Sequence, residues 1–291
     1  MLDALYSPDL FLEPRLGTTH RLGPSWYLPA SAGRPLIAAG TMDHGEASWR
    51  LEAMSGTYDL LPAPLKPGIA SICEIRRSSQ RRSGAHEPAE LAKAGGNTAD
   101  ADTRTGRIRF HESLVNNDTQ RLFTSAVLAH EAMHVLAGSY NAKLTPAQRR
   151  EWRTALMADM RHGRRLGRRL QPLAREIIPG RSIYLHLGPI AQDPTDLGLA
   201  RHLRLGGPWL SDYVAVIRAN SIRRIAAHHR EKARDARWVE HWVQQTADAE
   251  DLACAAGYWQ LSRLSGELFD GFSFERLYPF RAAVLGRWLA R

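Results

Sequence analysis

The sequence is poor in cysteine and lysine and has no long apolar run. Its two cysteines, Cys73 and Cys254, are isolated and no C-x-x-C pair occurs, which excludes a disulfide framework and a cysteine-rich zinc site. No apolar stretch approaches the roughly 18–20 residues of a membrane-spanning helix. The first residues lack a basic segment followed by an apolar one, so no ordinary secretory signal is predicted. These absences favour a protein of a reducing compartment.

The basic charge is almost all arginine. Only four lysines stand among the 39 basic residues, and the net charge is +9. Such a bias is typical of GC-rich bacterial genomes, so we expect a bacterial cytoplasmic protein, with export by a signal-less specialised route as the alternative. The arginines are densest at 161–169 and 218–237. They fit a solvated helical face or a site for nucleic acid or an acidic partner, and no nucleic-acid-binding motif accompanies them.

Residues 130–134 read His-Glu-Ala-Met-His, which is the H-E-x-x-H pattern. One helical turn separates His130 from His134, so both imidazoles project from the same face and can bind one Zn²⁺. Glu131 is rotated by about 100° from His130, which lets it reach water at the metal without being a ligand. Two imidazoles and a neighbouring carboxylate are the core of a metal-dependent hydrolase site.

The motif lies in a segment with helical periodicity. Apolar residues recur at helical spacing on both sides of it, from Leu122 to Leu136, and Gly138 is placed to end the helix. A helix that is apolar around its histidines is buried. We therefore predict a buried helix over 119–138 that carries the active site.

Two strands are predicted before that helix. In residues 104–112, Ile108 and Phe110 alternate with arginines, as in a half-buried strand at or near a sheet edge. A second short strand is predicted within 68–76, and the polar residues 78–103 are predicted to form a loop. The order strand, loop, strand and motif helix resembles the upper lobe of zincin peptidases. The resemblance implies that residues 107–111 are the sheet edge that aligns an extended peptide substrate.

The sequence leaves several residues open as the third metal ligand. Metzincins require H-E-x-x-H-x-x-G-x-x-H. Here Ala137 replaces the glycine of that motif and Tyr140 replaces its last histidine, so the sequence does not fit the metzincins. Glu151 is typical of a solvated first-turn acid favoured by the helix dipole, and Asp159 lies in an equally ordinary helix. The histidines at 228–241 lie in an arginine-rich segment.

Glu250 is the preferred third ligand. Glu250 and Asp251 enter a helix of small and apolar residues, where acids are costly to bury unless they meet a cation. Residues 249–258 resemble the ligand helix of gluzincins related to lethal-factor-like and glucose-uptake-regulator-type peptidases, and that of ImmA-like metallopeptidases. The resemblance implies that Glu250 is the third zinc ligand, although Cys254 stands where those gluzincins often have a second Glu. The alternative is a helix start whose acids favour the dipole, with Asp251 either a plain first-turn acid or a group that orients a ligand histidine.

In the same relatives an S-x-Y-A segment precedes the ligand helix, and its tyrosine can donate to the oxyanion. Residues 211–215, Ser-Asp-Tyr-Val-Ala, resemble that segment, which implies that Tyr213 is a catalytic donor. However, 36 residues separate Tyr213 from Glu250, which is more than the families have. A packed core tyrosine is the alternative.

The pattern of elements predicts an α+β, helix-dominated fold with a small upper β-sheet and a helical lower lobe, and the resemblance implies a two-lobed zincin-like metallopeptidase. Further helices are predicted over 146–176, 209–230, 231–262 and 275–290. We expect a proline-rich N-terminal arm over 1–67 and a peptidase domain over 68–291, with an upper lobe at 68–140 and a lower lobe at 141–291.

The expected activity is hydrolysis of peptide bonds in a peptide or protein substrate by a Zn²⁺ enzyme. His130, His134 and Glu250 would bind the zinc, and Glu131 would act as general base toward zinc-activated water. The alternative function is a non-catalytic zincin scaffold that binds nucleic acid or an acidic protein through its arginine-rich surface.

Overall fold

The computed structural model describes residues 20–22, 25–31, 33–39, 44–74, 99–110, 118–170, 235–266 and 273–290. The chain divides into two compact units, Met1–Leu136 and Ala137–Arg291. The first unit contains a six-stranded sheet with helices, and the described part of the second is helical. The prediction of an α+β, helix-rich fold with a small sheet is therefore confirmed at this coarse level.

The sheet has six short strands: β1 His20–Leu22, β2 Ser25–Leu28, β3 Leu36–Ala39, β4 Ser71–Glu74, β5 Ala99–Asp102 and β6 Arg107–Phe110. Their order is β1-β2-β3-β4-β6-β5. The β3–β4 and β4–β6 pairs are parallel and the other three are antiparallel. Helix α1 (His44–Asp59) forms the crossover between β3 and β4. Three strands thus come from the segment predicted to be an N-terminal arm, and the predicted domain boundaries stay predictions.

The central strands are buried on both faces. Ile37, Ile72 and Ile108 stand opposite one another across β3, β4 and β6, and each is at most 3% exposed. On the other face of β3 and β4, an apolar cluster forms around Ala38 and Cys73. Apolar side chains on both faces suit parallel strands in the middle of a sheet.

The alternation predicted for β6 is confirmed, because Ile108 and Phe110 are fully buried and Arg109 is exposed. The prediction that residues 107–111 form the sheet edge is wrong over 107–110. β6 pairs with β4 on one side and with β5 on the other. The cause is β5, which falls in the segment predicted to be a loop. His111 lies outside the described residues.

Two glycines fix the turns beside the motif helix, α2 (Asp118–Ala137). Gly106 ends the β5–β6 turn with a φ of 71°, and its carbonyl accepts a hydrogen bond from the Ala70 N–H at 2.8 Å. A Cβ at Gly106 would lie 1.8 Å from the Gly68 carbonyl oxygen, so only glycine fits. A Cβ at Gly68 would lie 3.4 Å from Cγ1 of Val135. The turn before β4 therefore packs against the C-terminal end of α2.

The described part of the second unit contains α3 Pro146–Leu170, α4 Ala236–Ser265, α5 Phe274–Leu277 and α6 Pro279–Leu289. Within the described residues, these helices confirm the ones predicted from 146, 231 and 275 onward. The last is split at Tyr278, because Pro279 begins a new helix. The helix predicted over 209–230 lies outside the described residues. Within the described part of the chain, no helix is both long and apolar enough to cross a membrane.

A buried ion network joins α3, α4 and α6. The fully buried Arg281 donates from Nη1 to Asp251 at 2.6 Å and from Nε to Asp159 at 3.0 Å. Asp159 also accepts hydrogen bonds from the backbone N–H groups of Phe280 and Arg281, each at 3.0 Å. Trp152 donates from Nε1 to Asp251 at 3.1 Å. The network satisfies the first N–H groups of α6 and pairs two buried carboxylates with one guanidinium.

Candidate metal centre

Helix α2 is buried along the turns that carry the motif. Residues 124–133 are all buried, and Leu128, Ala129 and Ala132 have no exposed surface. The helix ends where the sequence predicts, because Gly138 adopts a φ of 73°. The carbonyl of Ala137 then accepts a hydrogen bond from the Lys143 N–H at 2.8 Å. The motif therefore lies in the last turns of a helix that is fixed at its C-terminus.

The structure brings His130, Glu131 and His134 together. The Nε2 atoms of His130 and His134 are 3.2 Å apart, and the two ring planes are inclined by 74°. One potential ligand atom of each of the three side chains lies within 4.8 Å of the others. His130 and Glu131 are buried and His134 is half-buried.

The separation of the two imidazole nitrogens fits a tetrahedral metal. With Zn–N distances of about 2.0–2.1 Å and tetrahedral angles, two bound nitrogens lie about 3.3–3.4 Å apart. The observed 3.2 Å needs only a slight ring movement to reach that spacing. The same distance also allows a hydrogen bond between the rings when one Nε2 carries a proton. Metal binding instead requires a lone pair on both Nε2 atoms.

Glu131 lies close to His130. Its Oε1 is 3.9 Å from Nε2 of His130, beyond ordinary hydrogen-bond length. The side chain is only 8% exposed. The structure thus places a buried carboxylate next to His130, and the role of Glu131 as general base stays a prediction.

Glu250, the predicted third ligand, lies in α4 of the second unit and is half-buried. Its assignment as a ligand stays a prediction. Cys254 lies one turn further along the same helix, and both Cys254 and Cys73 are buried and outside any disulfide. Tyr213, the predicted oxyanion donor, lies outside the described residues, as do the arginines at 218–230.

The neighbour of Glu250 has a role that the sequence analysis missed. Asp251 has no exposed surface and binds Arg281 and Trp152, so it is not a solvated first-turn acid. Burial raises the pKa of Asp251 to about 6, against the opposing effects of Arg281 and Trp152. The cation that this acid was expected to meet is therefore an arginine of the same unit.

Asp159 also differs from the prediction of an ordinary helical acid, because it is buried against Arg281. A signal for this burial was available in the sequence. Trp152, Ala155, Leu156 and Asp159 follow the spacing of one helical stripe, and all four are buried. Glu151, by contrast, pairs with Arg287 at the surface, which fits its predicted solvated character. The prediction that it stands in the first turn is wrong, because the first turn of α3 holds no acidic residue.

No family model, curated protein or solved structure matches the chain.

Proposed function

We propose that the protein is a zinc-dependent metallopeptidase. The observation that carries the proposal is the convergence of the His130 and His134 Nε2 atoms at 3.2 Å on a buried helix. Neutral imidazole is a preferred zinc ligand, and a pair of imidazoles at i and i+4 leaves part of the coordination shell open for a third ligand and substrate. Glu131 stands next to the pair, where a hydrolase needs a base.

Glu250 is the third ligand in this proposal. A carboxylate with two imidazoles is a donor set found in catalytic zinc sites. Glu250 is half-buried on α4 and belongs to the segment that resembles the gluzincin ligand helix. By the same resemblance, the fold is a two-lobed zincin and Tyr213 donates a hydrogen bond to the oxyanion.

Zinc bound there would supply Lewis acidity that polarises a carbonyl and lowers the pKa of water toward neutrality. Glu131 accepts a proton from the attacking water as the water oxygen bonds to the carbonyl carbon of the peptide. It then returns that proton to the nitrogen as the C–N bond breaks, which releases an amine and a carboxylic acid. The burial of Glu131 keeps competing water away from this proton transfer.

The first test compares Glu131→Gln with the wild type. Gln keeps the shape of the side chain but cannot accept the proton, so the variant should retain about one zinc per chain and lose hydrolysis of a labelled protein such as casein. Glu240→Gln, an exposed position on α4, is the matched control and should leave both properties unchanged. Full activity in Glu131→Gln would exclude Glu131 as the base.

The second test addresses the ligands. His130→Ala and His134→Ala should each abolish zinc retention, whereas His241→Ala, at an exposed histidine of α4, should not. Glu250→Gln should weaken zinc binding if the carboxylate is a ligand. It should leave zinc binding unchanged if the acid only interacts with the helix dipole. Wild-type protein that holds no zinc and binds DNA with a steep salt dependence would support the non-catalytic scaffold instead.

A further inference from the structure

A cavity of about 500 Å³ lies in the second unit. Its walls come from the short turn after α2, the first turns of α3 and the middle of α4. Cavities of a few hundred cubic ångströms are the usual size for small-molecule sites. None of the residues proposed for hydrolysis lines it.

Three arginines of α3 line this cavity: Arg149, Arg150 and Arg153. All three side chains are exposed. Arg149 donates from Nη1 to the carbonyl oxygen of Asn141 at 3.3 Å. Among the residues that the structure describes, no carboxylate forms an ion pair with Arg150 or Arg153. Arg150 thus remains available to an anion that enters the cavity, and Arg153, which interacts electrostatically with Asp248, can also face that anion.

Asp248 is the one acidic side chain among the described residues of the lining. It accepts a hydrogen bond from Nε2 of Gln244 at 2.8 Å. Three arginines and one carboxylate give the lining a formal charge of +3 − 1 = +2.

The start of α3 adds to the positive potential. Thr145 and Gln148 form a reciprocal cap, in which the Gln148 N–H donates to Thr145 Oγ1 at 3.2 Å and the Thr145 N–H donates to Gln148 Oε1 at 2.9 Å. No acidic residue stands in the first turn of the helix. The positive end of the helix dipole is therefore not neutralised where the arginines begin.

Tyr140 supplies an aromatic wall in an unusual conformation. Its φ of 55° and ψ of 33° lie in the left-handed region, which is rare for a bulky side chain. The ring is 40% exposed and lies edge-to-face against Trp242, with 5.9 Å between ring centroids. Strained backbone of this kind concentrates at binding and catalytic sites. The strain holds an exposed ring at the cavity with the arginines.

We propose that this cavity binds a small aromatic anion, with its oxyanion held by Arg150 and Arg153 and its ring packed against Tyr140. The planar guanidinium fork binds both phosphate and carboxylate oxygens in bidentate geometry. The proposed ligand is therefore an aromatic ring that carries either a phosphate or a carboxylate group. Aromatic rings pack favourably against one another, so the ring of the ligand suits a cavity wall that contains Tyr140.

Calorimetric titration of the full chain tests the proposal with four probes: phenyl phosphate, benzoate, inorganic phosphate and benzyl alcohol. We expect saturable one-to-one binding of phenyl phosphate or benzoate, and the tighter of the two identifies the oxyanion. Inorganic phosphate should bind more weakly because it lacks the ring, and benzyl alcohol should not bind. Equal binding of benzyl alcohol, or no saturable binding of either aromatic anion at millimolar concentration, would overturn the proposal.

Two variants locate the site. Arg150→Gln combined with Arg153→Gln should weaken binding by about tenfold per arginine, the size expected for charge-assisted hydrogen bonds. Arg161→Gln, an exposed position of the same helix outside the cavity, should leave the affinity unchanged. Tyr140→Asn, which tolerates the left-handed backbone, should weaken binding of the aromatic anion but not of inorganic phosphate. Unchanged affinity in the double arginine variant contradicts the assignment.

Discussion

Arg281 and Asp251 form a fully buried ion pair, with Nη1 of the guanidinium 2.6 Å from Oδ1 of the carboxylate. Arg281 also binds Asp159, so a single cation faces two acids in the interior of the second unit. Buried charges are tolerated only when they are paired and hydrogen-bonded. This network, rather than an apolar contact alone, fixes how α6 docks on α3 and α4.

Arg281→Met should destabilise the protein by about 3–5 kcal/mol, because the change leaves two buried carboxylates without their cation. Urea unfolding followed by circular dichroism measures the loss. Adding Asp251→Asn to Arg281→Met should recover part of it, since one of the stranded charges is removed.

Arg287→Gln is the surface control for this experiment. Arg287 pairs with Glu151, and the two side chains are 59% and 37% exposed, so the loss should stay below about 1 kcal/mol. Equal losses for Arg281→Met and Arg287→Gln would show that the buried network contributes no more than a surface pair.

The pH dependence of stability should carry the signature of Asp251. Its pKa rises from 3.8 to about 6 on folding because burial disfavours the charged form. The folded state therefore holds the proton more tightly than the unfolded state. The contribution of Asp251 to the free energy of unfolding is therefore fully present below about pH 4, and it is lost as the pH rises through about 6. The free-energy difference between wild type and Asp251→Asn should shift against the wild type over that interval, by a few kcal/mol at most. A difference that is constant from pH 4 to 7 would mean that Asp251 keeps the same proton affinity in both states.

The motif helix could be predicted from the sequence because its signals are local. The spacing of His130 and His134, the apolar residues around them and Gly138 all lie within about five helical turns. The alternation of Ile108 and Phe110 also needs only neighbouring residues, and it predicts β6 correctly.

The features that could not be predicted depend on contacts between residues far apart in the sequence. The helical stripe around Asp159 indicates that the side chain is buried, but it does not identify the partner. That partner, Arg281, lies 122 positions away in the sequence. Strand β5 has four residues, Ala-Asp-Ala-Asp, whose composition is typical of a loop, and pairing with β6 decides its structure. The same pairing places β6 next to the sheet edge, and not at the edge itself as the resemblance implied. The assignment of Glu250 as the third ligand stays a prediction. The position of such a ligand depends on tertiary structure, so its spacing from the motif in the sequence does not identify it.

Gly106→Ala should destabilise the first unit strongly. A Cβ there would lie 1.8 Å from the Gly68 carbonyl oxygen, and the φ of 71° already disfavours alanine. Gly33 offers a matched control, since its φ is 79° but no atom lies within 4 Å of the added Cβ. Gly33→Ala should cost about 1–2 kcal/mol from the backbone alone. Gly106→Ala should cost clearly more in thermal or urea unfolding, and equal costs would mean that the Gly68 turn moves away freely.

Zinc should stabilise the folded chain through His130 and His134. A ligand that binds only the folded state adds about 2.7 kcal/mol when its concentration is 100 times its dissociation constant. Stripping the protein with a chelator should therefore lower its melting temperature, and one equivalent of zinc should restore it. Glu131→Gln should show the same recovery because it removes the base and keeps both imidazoles. His130→Ala should not respond to zinc, whereas His241→Ala should respond as the wild type does. A zinc response that survives in His130→Ala would place the metal on other side chains and remove the basis of the hydrolase proposal.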